Sequence, residues 1–91
     1  MEAKTNKISI IVEAYLNPPF EKSLGDFNRI MNVWGMRILK ASTNARISII
    51  SIPLSSFMLL LGEKPRIDSE YVITKAQGCL QKIKVKEING D

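Results

Sequence analysis

The chain has 91 residues, 45% of them hydrophobic and 24% charged, with a formal net charge of +4. A chain of this size holds one domain with one core, and its composition is unlike that of disordered segments. Its single cysteine, Cys79, excludes an internal disulfide, so we expect a reducing, cytoplasmic setting. The first apolar run is short and is interrupted by Glu13, so we expect no signal peptide and no membrane span.

The first predicted strand follows a flexible stretch over residues 1–6. Its sequence, KISIIVEAYL, is rich in β-branched residues and alternates with period two. One face carries Ile8, Ile10, Val12 and Ala14, and the other carries Ser9, Ile11, Glu13 and Tyr15. The prolines of NPPF, residues 17–20, remove backbone donors and end the strand in a loop.

Two helices are predicted from changes in the apolar period. After Ser23, apolar residues recur every three to four positions as far as Trp34, with Ser23 and Asp26 as a capping pair and Gly35 as the terminator. A second, short helix covers FMLLL, where Ser55 or Ser56 provides the N-cap and Gly62 ends the helix.

The remaining strands flank these helices. MRILKAS and ARISIISIP form a hairpin around Thr43, Asn44 and Ala45, because asparagine tolerates the positive φ of a tight turn. DSEYVITKA is the fourth strand, and CLQKIKVKEI, after the turn signal Gln77-Gly78, is the fifth.

This order predicts an α+β fold, a ferredoxin-like split βαβ (βαββαβ) sandwich with two helices on one face of an antiparallel sheet. Residues 1–91 form a single domain, with the βαββαβ core in residues 7–76 and an additional strand in residues 79–88. The predicted core comprises Ile8, Ile10, Val12, Ile50, Ile52, Phe27, Ile30, Trp34, Phe57 and Leu61.

The other face of the predicted sheet carries the functional signal. If Ile52 points to the helices, period-two alternation sends Ile47 and Ile49 outward, where they join Ile11 and Tyr15. An outward apolar patch commonly marks an interaction surface. Alternatively, the fifth strand folds across the patch, a bulge in the third strand changes the alternation, or two copies pack sheet to sheet.

The helix ending at Gly35 is followed by MRILKAS, ARISIISIPL, FMLLL and KPRIDSEYVI. This succession resembles the subtilisin propeptide and propeptide-like inhibitor family over roughly residues 7 to 74. The resemblance implies a sheet face that docks on two surface helices of a serine protease, here through Ile11, Tyr15, Ile47 and Ile49. It also implies a product-like segment in the protease cleft, beginning near residues 74–76. The chain departs from this pattern in continuing into QGCLQKIKVKEINGD.

Residue chemistry argues against catalysis and against a metal or cofactor site. The chain has no histidine, and one cysteine cannot form a thiolate metal site. Glu13, Asp68 and Glu70 are expected to be solvated, and Cys79 is expected to be an apolar filler and not a nucleophile. We therefore expect a non-enzymatic protein without cofactors.

The last predicted strand places Lys82, Lys84 and Lys86 on one face. These lysines can contact phosphates, but lysine also protects exposed edge strands from aggregation, and we favour the protective role. The two central strands contain only one aromatic residue, Tyr15, which argues against base stacking on nucleic acid.

Two hypotheses follow. The first is a protein-interaction module that resembles propeptide-like protease inhibitors and docks through the outer sheet face. The second is a ferredoxin-like domain that homodimerises through the same face and binds a small ligand or a nucleic acid with Lys82, Lys84 and Lys86.

Overall fold

The structure is a computed structural model that describes residues 8–41, 46–73 and 78–90. It is an α+β fold with two helices and a five-stranded antiparallel sheet of order β2-β3-β1-β5-β4, which confirms the predicted class. In chain order the elements are β1 (Ser9–Leu16), α1 (Phe20–Trp34), β2 (Arg37–Ala41), β3 (Ile47–Pro53), α2 (Leu54–Leu61), β4 (Glu70–Tyr71) and β5 (Leu80–Asn89).

The core lies between one face of the sheet and the two helices. In β1 and β3 burial alternates residue by residue, so Ile10 and Val12 of β1 and Ile50 and Ile52 of β3 are almost fully buried. Phe27 and Met31 of α1 and Phe57 and Leu60 of α2 belong to the same cluster. The predicted core residues Ile8, Ile30, Trp34 and Leu61 pack against this cluster and are partly buried.

Both helices begin earlier than the sequence predicts. Helix α1 starts at Phe20 after Pro19, and Ser23 is not its cap but a buried residue whose Oγ donates a hydrogen bond to the carbonyl oxygen of Asn17 at 2.5 Å. Pro19 is the N-cap residue, with extended backbone angles of φ −74° and ψ 133°, and the helix begins directly after it. The predicted end of α1 is confirmed, because Gly35 adopts a left-handed conformation with φ 71°.

Helix α2 likewise starts at Leu54 after Pro53, so neither Ser55 nor Ser56 caps it. The hydroxyl of Ser56 instead donates a hydrogen bond to the carbonyl oxygen of Trp34 at 2.6 Å. This bond satisfies a terminal carbonyl of α1 and ties the two helices together.

The C-terminal part of the sheet differs most from the prediction. Of the expected fourth strand, the part within the described residues forms a strand at Glu70–Tyr71, and β5 pairs with β1 along most of its length. β5 takes this place because its inward residues, Ile83 and Val85, are almost fully buried against the core. The fifth strand is therefore an integral strand of the sheet beside β1, and it does not fold across the outer face.

Several sequence predictions lie outside the described residues: the flexible N-terminal stretch, the hairpin connection at residues 43–45 and the segment at residues 74–76. No helix within residues 8–41, 46–73 and 78–90 is both long and apolar enough to cross a membrane.

Candidate functional site

Strand register determines which side chains share the side of the sheet opposite the helices, which we call the outer face. Directly opposite residues of an antiparallel pair point to the same side, about 5 Å apart at Cβ. Tyr15 of β1 lies opposite Ile47 of β3 and Lys82 of β5. The outer face is formed by Ile11, Glu13, Tyr15, Arg37, Lys40, Ile47, Ile49, Ser51, Glu70, Lys82, Lys84 and Glu87.

One row of side chains crosses all five strands at Glu13. This carboxylate lies opposite Ile49 on one side and Lys84 on the other. Lys40 lies beyond Ile49, and Glu70 lies beyond Lys84. The charges of Glu13, Lys84 and Glu70 thus alternate in sign across β1, β5 and β4. Opposite charges directly across a strand pair favour pairing of the strands. The outer face is therefore mixed in character and less apolar than the sequence predicts.

The four predicted docking residues lie together on this face. Tyr15 and Ile47 are directly opposite each other, and Ile49 is the diagonal neighbour of both Ile11 and Tyr15. All four are half-buried. Since both helices pack on the other side of the sheet, the described part of the chain places no second layer over these side chains.

Tyr15 is the centre of a polar network on the outer face. Its hydroxyl donates a hydrogen bond to Oε1 of Glu13 at 2.9 Å, and this bond, together with burial, raises the pKa of Tyr15 above its usual value of 10.0. The Nζ of Lys82 lies 5.0 Å from the centre of the Tyr15 ring and 3.2 Å from Oε2 of Glu70. A cation over an aromatic face and a carboxylate beside it fix the position of the lysine head group.

Of the three lysines that the sequence places on one face, the structure keeps Lys82 and Lys84 on the outer face and takes Lys86 out of it. Lys82 contacts Glu70, and Lys84 lies between Glu13 and Glu70 in the cross-strand row. Lys86 lies at a register shift, so that Glu87 is the residue opposite Ile11. The bulge thus places a carboxylate where the alternation predicts a third lysine. The predicted anion site is consequently interleaved with acidic groups.

The protective role predicted for these lysines also changes. β5 pairs with β4 at Ile83 and Lys84, so this part of β5 is not a sheet edge. The edge strand on the opposite side of the sheet is β2, whose five residues are all exposed. Arg37 and Lys40 of β2 are positively charged, which suits protection of an edge from pairing with other chains.

A pocket of about 220 Å³ adjoins the outer face at the C-terminal end of β1. Two of its walls come from Tyr15 and Ile47, which also belong to the outer face. The guanidinium of Arg46 lies 5.9 Å from the centre of the Phe20 ring, a cation–π arrangement that fixes both side chains at the pocket. The complete lining is Tyr15, Leu16, Pro18, Phe20, Arg46, Ile47 and Gln81.

The remaining candidate groups show no reactive arrangement. Cys79 is buried, and burial raises the pKa of its thiol, which disfavours the reactive thiolate. Asp68 and Glu70 are exposed, as the sequence predicts, whereas Glu13 is half-buried within the outer face. Within the three described ranges, no group of three or more Cys, Asp or Glu residues is placed to hold a metal ion.

Sequence reasoning missed the polar network and the pocket. The Glu13 to Tyr15 contact had a local signal, because residues two apart in a strand share a face. The contacts of Lys82 with Tyr15 and Glu70 had no local signal in the sequence, since they depend on which strand lies beside β1. The pocket joins residues from three separate parts of the chain, 15–20, 46–47 and 81, and no spacing rule brings those parts together.

Comparisons of the chain with protein-family models, with curated proteins and with solved structures give no match. The resemblance to propeptide-like inhibitors therefore stays a prediction.

Proposed function

We propose that this protein is a protein-interaction module that docks through its outer face. The observation that carries the proposal is the grouping of Ile11, Tyr15, Ile47 and Ile49, four half-buried apolar or aromatic side chains on the sheet side without helices. A group of apolar side chains with charged residues around it has the composition of a non-obligate interface, in which an apolar centre is surrounded by a polar rim.

A ferredoxin-like split βαβ plan, with which the observed α+β fold is compatible, would support this proposal. In that plan β3 lies between β1 and β2, and the last strand pairs with β1 on its other side. The observed order β2-β3-β1-β5-β4 is compatible with this plan, and the proposal takes β5 as its last strand. Helices on one side then leave the other side of the sheet accessible to a partner.

The partner class implied by the sequence resemblance is a subtilisin-like serine protease, and the proposal adopts it. Docking would use the outer face alone. The segment at residues 74–76, which the resemblance assigns to the protease cleft, lies outside the described residues and is followed in the chain by β5. We therefore expect binding to the protease surface, with inhibition arising only where the bound domain obstructs the cleft.

Biolayer interferometry with immobilised, active-site-blocked subtilisin tests this proposal. The wild-type chain is expected to bind saturably, and Ile49→Lys to bind at least about tenfold more weakly, because docking would remove water from a charged head group in the apolar centre of the interface. Val33→Lys is the matched control, since Val33 is 76% exposed on α1, away from the outer face. Absence of saturable binding, or equal losses in both variants, would contradict the proposal.

Light scattering after size-exclusion chromatography tests the homodimer hypothesis. A monomer at micromolar concentration is the result that the proposal expects. A stable dimer that Ile49→Lys, but not Val33→Lys, converts to a monomer would assign the outer face to a second copy of this chain and overturn the protease assignment.

A further inference from the structure

We propose that the pocket at the C-terminal end of β1 binds a free, uncharged aromatic compound of one or two rings. The pocket lies between the end of β1, the start of α1 and the starts of β3 and β5. This inference holds or fails independently of docking by the outer face. It is also separate from the anion site predicted for Lys82, Lys84 and Lys86, none of which lines the pocket.

The pocket becomes more polar from its floor to its rim. Its lining divides by burial into Leu16, which is buried; Tyr15, Phe20 and Ile47, which are half-buried; and Pro18, Arg46 and Gln81, which are exposed. The buried and half-buried lining is thus hydrocarbon or aromatic, and the polar side chains belong to the exposed part. Apolar walls with a few polar groups are the usual composition of a small-molecule site. This distribution suits a ligand with an apolar body and a polar edge directed toward solvent.

The aromatic walls indicate the shape of the ligand. Tyr15 and Phe20 are two of the three half-buried lining residues. Aromatic rings pack on one another in offset-stacked or edge-to-face arrangements, which contribute beyond the area that they bury. A flat ring offers both a face and an edge, so it can use either arrangement against either wall, whereas a saturated ring of the same size can use neither.

A positive charge lies close to each aromatic wall, which argues against a cationic ligand. The Nζ of Lys82 is 5.0 Å from the centre of the Tyr15 ring, and the guanidinium of Arg46 is 5.9 Å from the centre of the Phe20 ring. A cation in the pocket would meet a like charge at both rings, and such a contact is unfavourable.

Negative charges at the Tyr15 wall argue equally against an anionic ligand. Glu13 accepts the hydroxyl hydrogen bond of Tyr15, and Glu70 lies 3.2 Å from the Nζ of Lys82 above the same ring. Arg46 does not outweigh them, because it has a further interaction within the chain besides its contact with Phe20. The charges around the pocket therefore favour a ligand without net charge.

Backbone hydrogen bonds hold the three segments of the lining together. The amide of Leu16 donates to the carbonyl oxygen of Arg46 at 2.9 Å, and the amide of Asn17 donates to the carbonyl oxygen of Cys79 at 3.0 Å. These bonds join the end of β1 to the residues that precede β3 and β5. The carbonyl oxygen of Asn17 in turn accepts the hydroxyl hydrogen bond of Ser23 in α1. The pocket is thus preformed, and a preformed site loses less free energy to ordering when a ligand binds.

The volume of about 220 Å³ sets the size of the ligand. An apolar cavity of about 150 Å³ holds benzene, and drug-sized ligands occupy pockets of roughly 300 to 1,000 Å³. The volume lies between these values, so it accommodates one ring or two fused rings. Indole meets these conditions, since it is flat and uncharged, and its N–H can donate to the side-chain oxygen of Gln81 at the rim.

NMR titration of the ¹⁵N-labelled full chain with indole tests the inference. We expect saturable shifts of the amides that line the pocket, Leu16, Phe20, Arg46, Ile47 and Gln81, with a Kd below about 1 mM. Shifts that do not saturate, or saturable shifts centred elsewhere in the chain, would overturn the assignment.

Charged and saturated analogues test the class of ligand. Indole-3-acetate and tryptamine keep the ring system and add a negative or a positive charge, and each is expected to bind at least about fivefold more weakly than indole. Cyclohexanol is expected to bind at least about threefold more weakly than phenol, because it lacks the aromatic ring. A charged analogue that binds as tightly as indole, or equal affinities for cyclohexanol and phenol, would contradict an uncharged aromatic ligand.

Two variants test the position of the site. Gln81→Trp fills the pocket from its exposed rim and should weaken indole binding by at least about tenfold, whereas Asn28→Trp, which replaces an exposed amide side chain on α1, should change it less than about twofold. Phe20→Leu removes one aromatic wall, keeps it apolar and should weaken binding at least about threefold. Far-UV circular dichroism establishes that each variant is folded. Unchanged affinity in Gln81→Trp or in Phe20→Leu would refute the site.

N-acetyltryptophanamide distinguishes a free compound from a side chain of a protein partner, because it presents the same indole ring on an uncharged peptide unit. Indole that binds at least as tightly as N-acetyltryptophanamide supports a free compound. Tighter binding of N-acetyltryptophanamide would overturn that assignment and would give the pocket to an aromatic side chain of a polypeptide.

Discussion

Tyr15 donates its hydroxyl hydrogen bond to Oε1 of Glu13, two residues earlier on the same strand, at 2.9 Å. This contact joins a predicted docking residue to the charged row that crosses the sheet. Because Glu13 accepts this bond and is negatively charged, the contact disfavours ionisation of the phenol and raises the pKa of Tyr15.

The stability of the protein should accordingly decrease at alkaline pH. The folded-state pKa of Tyr15 is above that of the unfolded chain. The stabilisation that the hydrogen bond of the protonated phenol to Glu13 contributes is therefore fully present below pH 10.0, and it is lost as the pH rises through the folded-state pKa. Glu13→Gln should shift the absorbance titration of Tyr15 at 295 nm to lower pH, with Tyr15→Phe identifying its contribution. Glu87→Gln, a charge change elsewhere on the outer face, is the control. Identical titrations of the wild type and Glu13→Gln would contradict the assigned cause.

β5 should contribute to global stability as a central strand does. Ile83 is 1% exposed, so Ile83→Ala should lower the free energy of unfolding by about 2 to 5 kcal/mol through lost burial and an unfilled cavity. Ile88→Ala is the matched control at a position that is 42% exposed, and its effect should be clearly smaller. Urea unfolding followed by circular dichroism measures both. A loss below about 1 kcal/mol for Ile83→Ala would contradict the placement of β5 beside β1.

Ser48 should be a site where a smaller, apolar residue stabilises the protein. Its side chain is fully buried, and its Oγ has no hydrogen-bond partner in the described part of the chain. Burial without a partner costs about 1 to 3 kcal/mol, so Ser48→Ala should raise the urea midpoint. Ser51→Ala, on the outer face of the same strand, should leave the midpoint nearly unchanged. A lower midpoint for Ser48→Ala would mean that the hydroxyl makes a stabilising contact.

Two glycines should respond to alanine in opposite directions. Gly35 has φ 71°, and an added Cβ would lie 3.3 Å from Cγ of Pro53, so Gly35→Ala should destabilise the protein by about 1 to 2 kcal/mol. Gly25 lies within α1 with no atom within 4 Å of an added Cβ, so Gly25→Ala should stabilise it by about 0.5 to 1 kcal/mol. Thermal unfolding measures both variants, and changes of the same sign would contradict the role assigned to Gly35.

The sequence predicted the parts of the fold that depend on local pattern. The alternation in β1 and β3 identified Ile10 and Ile52 as buried residues, and the apolar spacing before Gly35 identified the end of α1. The starts of the helices were wrong, because proline and serine both suit a helix start and local pattern does not decide between them.

Period-two alternation also determined which residues of β1 and β3 share the outer face, because successive side chains of a regular strand point to opposite sides whatever the strand pairs with. Only the tertiary structure decided that β5 lies beside β1, since that choice depends on long-range burial of Ile83 and Val85. The position of β5 brings Lys82 over Tyr15 and Gln81 to the pocket with Arg46. Contacts between segments distant in sequence follow from how the chain closes its core, and no local period encodes them.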